Sequence, residues 1–224
     1  MSYKEKLNSN YFSSKSVVDA YSLKRGLTYP EKELFEMLID KTMNVLDIGC
    51  GTGRTTVYLH GISKKVIGID LSEEMIESSK SKFAGIEFKT MDAIDLHFAD
   101  ATFDAVVFSY NGIDCLYPEE KRDKVYKEVN RTLKSGGVFI YSSHVIPSLF
   151  AGPFEFFNFL LNVITLKVFG WFRFEVHKKG LVFLYYGNEK KEIHSLDRAG
   201  FTAIKVIPNR EKNPLWNYYA CKKR

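Results

Sequence analysis

Cysteine is scarce and scattered: the chain has three, Cys50, Cys115 and Cys221. No Cys-x-x-Cys pair and no Cys/His cluster occurs, so neither a disulfide framework nor a zinc site is expected, and no metal is assigned. An odd number of separated thiols suits a reducing cytoplasm. The N-terminal Met-Ser-Tyr-Lys-Glu-Lys lacks the apolar stretch of a signal peptide, so none is expected. A membrane span needs about 20 apolar residues. The most apolar stretch here, Phe156 to Leu166, is shorter and is bracketed by Glu155 and Lys167, which argues against a transmembrane segment. Basic clustering is missing too. The net charge of +5 is spread along the chain, and the only tight run is Lys222-Lys223-Arg224. Without a basic groove interleaved with aromatics, nucleic acid is disfavoured as a partner. There is no internal repeat and no low-complexity segment.

What is present is an ordinary globular composition, 45% hydrophobic and 26% charged over 224 residues. That suffices for one domain with a full core, or a domain plus a cap. The informative stretch is Asn44–Arg54. Val45, Leu46 and Ile48 form a short apolar run broken by Asp47, which reads as a buried parallel strand. Gly49, Gly51 and Gly53 follow, and Thr55–His60 reads as a helix. A strand, a glycine turn and a helix N-terminus make a site for a polar or anionic cofactor group. A second apolar run, Lys65–Ile69, ends in Asp70. Parallel strands of a βαβ unit end on one edge of the sheet, so Asp70 should lie beside the glycine loop, where a carboxylate can accept both hydroxyls of a ribose. The dinucleotide fingerprint is G-x-G-x-x-G/A. Here the third glycine comes one residue early and position 54 is Arg, which argues for a nucleoside cofactor without a pyrophosphate and against NAD.

Asp47-Ile48-Gly49-Cys50-Gly51-Thr52-Gly53 resembles the first motif of the class I S-adenosylmethionine-dependent methyltransferases. Ile67-Gly68-Ile69-Asp70-Leu71-Ser72-Glu73-Glu74-Met75-Ile76 resembles their second. Met91-Asp92-Ala93, Phe103–Val107 and Leu133–Gly137 fall where later motifs of that family stand. The resemblance runs from about residue 30 to 144 and resumes near 189. It implies an α/β, Rossmann-like, doubly wound sheet of seven strands, mostly parallel with the last antiparallel. It also implies S-adenosyl-L-methionine as cofactor and S-adenosyl-L-homocysteine as product. Arg25, Asp47, Gly49, Cys50, Gly51, Asp70, Leu71, Met75, Asp92, Ala93, Ser109 and Tyr110 are the cofactor contacts it suggests. Within that set Arg25 would take the methionine carboxylate, Asp92 with Ala93 the adenine, and Ser109 with Tyr110 the methionine portion.

Around this frame the chain reads as follows. Residues 1–30 are polar and irregular at first, then weakly helical over Ser16–Lys24, as either a surface arm or a lid. Pro30 starts a helix with Leu34, Phe35, Leu38 and Ile39 at helical spacing. Ser72 caps another, with Glu73 and Glu74 in its first turn. Pro118 opens a helix reaching Leu133, with Lys134–Gly137 as its C-cap and turn, and Val138–Ser143 is the fifth strand. Residues 147–186 interrupt the alternation as a cap insertion. Its helical part is a lid over an apolar pocket, a homodimer interface or a membrane-surface helix. A hairpin, Phe172–His177 with Leu181–Tyr186, extends it.

Methyl transfer leaves little covalent work to the protein, so a base is needed only if the nucleophile carries a proton. His144 at the end of the fifth strand and Tyr110 after the fourth are the catalytic candidates, with Asp114 close behind. Where exocyclic-amine methyltransferases carry Asn/Asp-Pro-Pro-aromatic, this chain has Ser109-Tyr110-Asn111-Gly112. The expectation is methyl transfer to O, N or C of a small, partly apolar molecule. RNA methylation and a non-catalytic cofactor-binding module are the alternatives.

Overall fold

The computed structural model describes residues 2–145, 168–169, 172–177, 179–209 and 216–224, with side chains omitted over 168–177. The apolar helix expected after residue 147, and with it the choice between lid, interface and membrane contact, lies outside the described residues.

The seven-stranded sheet has the order β3-β2-β1-β4-β5-β10-β9. Its strands are β1 (Asn44–Ile48), β2 (Lys65–Asp70), β3 (Glu87–Thr90), β4 (Phe103–Phe108), β5 (Leu133–His144), β9 (Phe201–Pro208) and β10 (Trp216–Lys223). The first five are mutually parallel, and β10 runs antiparallel between β5 and β9. Alternation along each strand feeds two cores. Val45 and Val66 face Leu34, Phe35 and Leu59, from α3 (Tyr29–Leu38) and α4 (Arg54–Ile62). Leu46, Ile48, Ile67 and Ile69 share the opposite face with Val125, Val129 and Leu196, from α6 (Glu119–Thr132) and α7 (Glu189–Arg198). Covering both faces is what lets the central strands be apolar on both sides.

Three local outcomes differ from the sequence reading. The residues before Ser14 are not irregular: α1 (Tyr3–Ser13) is a helix opened by a capping box of Ser2 with Glu5, while the helix expected over Ser16–Lys24 is present as α2 (Lys15–Ser22). Segment Leu133–Gly137 is not a turn. α6 stops at Thr132, and β5 begins at Leu133 opposite Phe103, with a bulge before Val138 aligns with Ala105. Lastly, the hairpin is a three-stranded sheet of β6 (Val168–Phe169), β7 (Phe172–His177) and β8 (Gly180–Tyr185), with β8 at its edge.

The two N-terminal helices sit over the edge of the main sheet where β1 and β2 end. Val17 and Val18 pack with Met75 of α5 (Glu73–Lys82), joined by Tyr11, Phe12 and Tyr21. Asn8 of α1 accepts the Phe183 N–H at 2.8 Å and donates to the Phe183 carbonyl at 2.7 Å and the Cys115 carbonyl at 3.1 Å. Among the described residues no helix is long and apolar enough to cross a membrane.

Candidate active site

The site is built on the turn from β1 to α4. Gly49, Gly51 and Gly53 all have positive φ, and Gly53 caps α4. At Gly49 a Cβ would lie 2.6 Å from the Phe108 ring, so only glycine fits both the backbone conformation and the space. The loop is latched from β2 and α5. Cys50 donates its N–H to the Ile69 carbonyl, and Ser79 Oγ donates to the Gly51 carbonyl. Asp70 Oδ2 accepts the Gly51 N–H at 2.8 Å, while Oδ1 accepts Ser72 N–H at 2.9 Å. Burial pushes the Asp70 carboxyl up, and the Ser72, Gly51 and Leu71 amides partly counter it. With three amides bound, the carboxylate keeps acceptor capacity for a ligand hydroxyl.

A cleft opens above this loop, lined by Tyr21, Lys24, Gly49, Cys50, Gly51, Thr52, Arg54, Thr55, Ser109 and Tyr110. Of the residues expected from sequence, Gly49, Cys50, Gly51, Ser109 and Tyr110 line it, and Asp70 touches it through the Gly51 amide. Leu71 is exposed beside Asp70. Asp92 follows β3, where its Oδ1 accepts the Ile94 N–H at 3.1 Å, and Ala93 is buried in the adjoining core. The Met91 amide donates to the Asp70 carbonyl, so this turn and Asp70 share one edge.

Two expected contacts serve the scaffold instead. Met75 is only 2% exposed and seats α2 on α5. Asp47 is fully buried, where its Oδ2 accepts the hydroxyls of Thr55 and Thr56 at 2.8 and 2.6 Å and fixes α4 to β1. Desolvation pushes the Asp47 carboxyl up to about 6, against the two threonine hydrogen bonds.

The cations at the cleft differ from expectation. Arg25 is exposed and donates to the Ser22 and Lys24 carbonyls, and it is absent from the lining. Lys24 lines the cleft instead, its Nζ 3.8 Å from the Tyr21 ring centroid and 4.1 Å from that of Tyr110. Arg54 joins it. Its guanidinium pairs bidentately with Glu31 at 2.6 and 2.7 Å and lies 5.0 Å from the Tyr110 ring centroid. Burial raises the Glu31 carboxyl, but Arg54, the Thr28 amide and the Tyr218 hydroxyl together hold it below its usual range. Sequence reasoning used Arg54 only to exclude NAD. Its place at the first helical position, one residue beyond the loop, was the signal that it could reach back over the cleft.

After β4 the backbone turns sharply. Tyr110 and Asn111 are both left-handed, at φ 60° and 61°, a conformation that non-glycine residues hold only under constraint. The Asn111 amide donates to Ser142 Oγ at 2.8 Å, and the Tyr110 ring sits edge-on between Tyr21 and Trp216. Burial raises the Tyr110 phenol, so it stays a neutral donor and is a poor base. Cys115 is likewise pushed up by burial, away from thiolate chemistry.

His144 and Asp114 come together here. His144 Nδ1 and backbone N both lie 2.7 Å from Asp114 Oδ2. Asp114 Oδ1 accepts from Arg122 and from Ser143 Oγ, each at 2.7 Å. Arg122 then pairs with Glu192 at 3.0 and 3.1 Å, and Glu192 also accepts the Tyr126 and Tyr141 hydroxyls. Arg122 and Glu192 escaped the sequence reading, because each looks like one more charge on a charged helix.

The residues present fit S-adenosylmethionine. The glycine cradle leaves the loop backbone open to a ligand, and Ser109 Oγ is buried without a partner at the cleft wall. Asp70 faces the same edge.

Comparison with known proteins agrees. A family model described as a methyltransferase domain matches residues 45–137. A demethylmenaquinone methyltransferase of Staphylococcus aureus is 34% identical over 137 residues, covering 57% of this chain and 54% of the relative. The chain therefore spans about half the length of that relative. A carboxy-S-adenosyl-L-methionine synthase of Campylobacter fetus is 24% identical and covers 92% of both chains. Among solved structures, a methyltransferase of Methanosarcina mazei described as S-adenosylmethionine-dependent superposes with a TM-score of 0.72 at 20% identity, covering 85% of this chain and 96% of its own. That likeness supports the fold. Over the glycine loop, its Asp70 latch and the matched residues 45–137, the chain is thus similar to S-adenosylmethionine-dependent methyltransferases.

Proposed function

We propose that this protein transfers a methyl group from S-adenosylmethionine to a small, partly apolar molecule. The observation that carries the reading is the Asp70–Gly51 latch, at the edge of a cleft walled by Tyr21, Tyr110 and Lys24. When bound, S-adenosylmethionine supplies an activated methyl: the acceptor's nucleophile bonds to that carbon as its bond to sulfur breaks, and the electron pair stays on sulfur.

The chain's own residues bind, orient and shield. Asp70 accepts the ribose hydroxyls, Asp92 and Ala93 meet the adenine, and exposed Leu71 covers its ring. Ser109 Oγ and Lys24 take the amino-acid end, Lys24 in the role expected of Arg25. Tyr21 and Tyr110 exclude water from the reacting end, where orientation alone can lower a barrier by about 7–11 kcal/mol. The N-terminal helices act as the lid of a single methyltransferase domain. Two relatives bear names of small-molecule enzymes, a demethylmenaquinone methyltransferase and a carboxy-S-adenosyl-L-methionine synthase. Both favour a small acceptor over RNA.

The test is calorimetric titration with S-adenosylmethionine, S-adenosylhomocysteine and NAD, after dialysis to strip carried-over ligand. Micromolar binding of the two sulfur nucleosides and none of NAD is expected. Absence of binding by either nucleoside overturns the reading.

A further inference from the structure

The ring of His144 is held in one tautomer. Asp114 is a carboxylate whose four acceptor positions are all taken, two of them by the His144 backbone N–H and by Nδ1. A carboxylate only accepts, so Nδ1 carries the proton. On the far side of the ring, Asn111 Nδ2 lies 3.2 Å from Nε2. An amide nitrogen only donates, so Nε2 presents its lone pair. In this arrangement the ring is fixed, with its bare nitrogen pointing away from the buried acid.

The surroundings suit a proton arriving there. The charged and titratable groups linked to His144, directly or through the Asp114–Arg122 pair, form one set. Asp114 comes from the short turn after β4, Arg122 and Tyr126 from α6, Glu192 from α7, Tyr141 from β5, and Tyr186 from the end of β8. Asp114 and Glu192 outnumber Arg122 by one charge, and an imidazolium at His144 restores balance in a region where all three are nearly fully buried. Asn111 can serve both states of the ring. Its Nδ2 donates to the bare Nε2, and its Oδ1, buried without a partner, is ready to accept from a protonated one. Trp216 stacks near His144 and meets Tyr110 edge-on, and its Nε1 is a second buried donor without a partner. Ser109 Oγ at the cleft wall is a third such atom. Two unsatisfied polar atoms beside the imidazole and a third at the cleft wall point to a polar ligand.

We propose that His144 Nε2 takes the proton which the methyl acceptor loses, with Asp114, Arg122 and Glu192 as positioning residues that hold the ring in the receptive tautomer. This rests on the methyl-transfer reading and deepens it. The acceptor is then a molecule that must shed a proton on methylation: a hydroxyl, an N–H or an acidic C–H, and not a thioether or tertiary amine. The bond from acceptor to hydrogen breaks toward the acceptor, whose electron pair forms the new bond to the methyl carbon, and the proton ends on Nε2. An external base then restores the neutral ring.

The test uses the full chain labelled with nitrogen-15 histidine, with S-adenosylhomocysteine bound and His144→Gln to assign the signal. Long-range ring correlations at alkaline pH should show the Nδ1–H tautomer in the wild type and a shift toward Nε2–H in Asp114→Asn. An Nε2–H ring in the wild type overturns the proposal, whether or not Asp114→Asn folds. As a second arm, tritium transfer from labelled S-adenosylmethionine to reduced 1,4-naphthoquinone, a protic probe, should fall by about 10²–10⁴-fold in His144→Gln. Transfer at the wild-type rate overturns it as well. Calorimetry run in parallel separates the two failures. Lack of nucleoside binding by the wild type sinks the methyl-transfer reading, whereas binding with the wrong tautomer sinks only the role of His144.

Discussion

Asp70 and Gly51, 19 residues apart, are joined by a 2.8 Å hydrogen bond from the Gly51 amide to Asp70 Oδ2. The acid that closes β2 thus also fixes the shape of the loop that closes β1. Asp70→Ala removes a charge-assisted acceptor for ribose, worth roughly 1.5–3 kcal/mol. The expected result is a Kd for S-adenosylhomocysteine raised by about one to two decades, read by calorimetry. Wild-type affinity in that variant would exclude the ribose role.

Lys24 and Arg25 are neighbours with different surroundings, one in the cleft wall and one in solvent. Lys24→Met should weaken S-adenosylhomocysteine by about 1 kcal/mol, or roughly fivefold. Binding of 5′-methylthioadenosine, which lacks the carboxylate, should not change. Arg25→Met should bind both ligands as the wild type does. The reverse pattern would return the carboxylate to Arg25.

Asp47 makes stability depend on pH in an unusual sense. Its folded value of about 6 lies above the ordinary 3.8. Between these values the native state holds a proton that the unfolded chain has released, so this contribution falls as pH rises through the window and is level above it. Asp47→Asn removes the term. In urea titrations, the stability of the wild type minus that of Asp47→Asn should drop by roughly 1–3 kcal/mol from pH ~4 to pH ~6. A flat difference would show that Asp47 is ionised throughout.

The sheet and the cofactor edge were legible because their signals are local. Apolar runs ending at Ile48 and Ile69, and glycines two apart, state the strand and the loop within a few residues. The charge network was less legible because it is assembled by the fold. Asp114 and His144 were each picked out by their strand ends, yet nothing in the sequence joins positions 30 apart. Arg122 did leave a trace: it shares the helical stripe of Val125, Tyr126 and Val129, a face that ends up buried. A cation on an apolar stripe should be read as a buried ion seeking partners. Helix α1 went unread for the opposite reason. It has almost no apolar stripe, and its one fully buried residue is Asn8.

Asn8 deals with Phe183 as an adjoining strand would, taking its N–H and giving a proton to its carbonyl. Because β8 is the outer strand of its sheet, one side chain blunts an edge that could otherwise pair with another molecule. The same helix pair also roofs the cleft through Tyr21. One pair of helices thus both shields that edge and walls the cleft, so the two surfaces share a single cover.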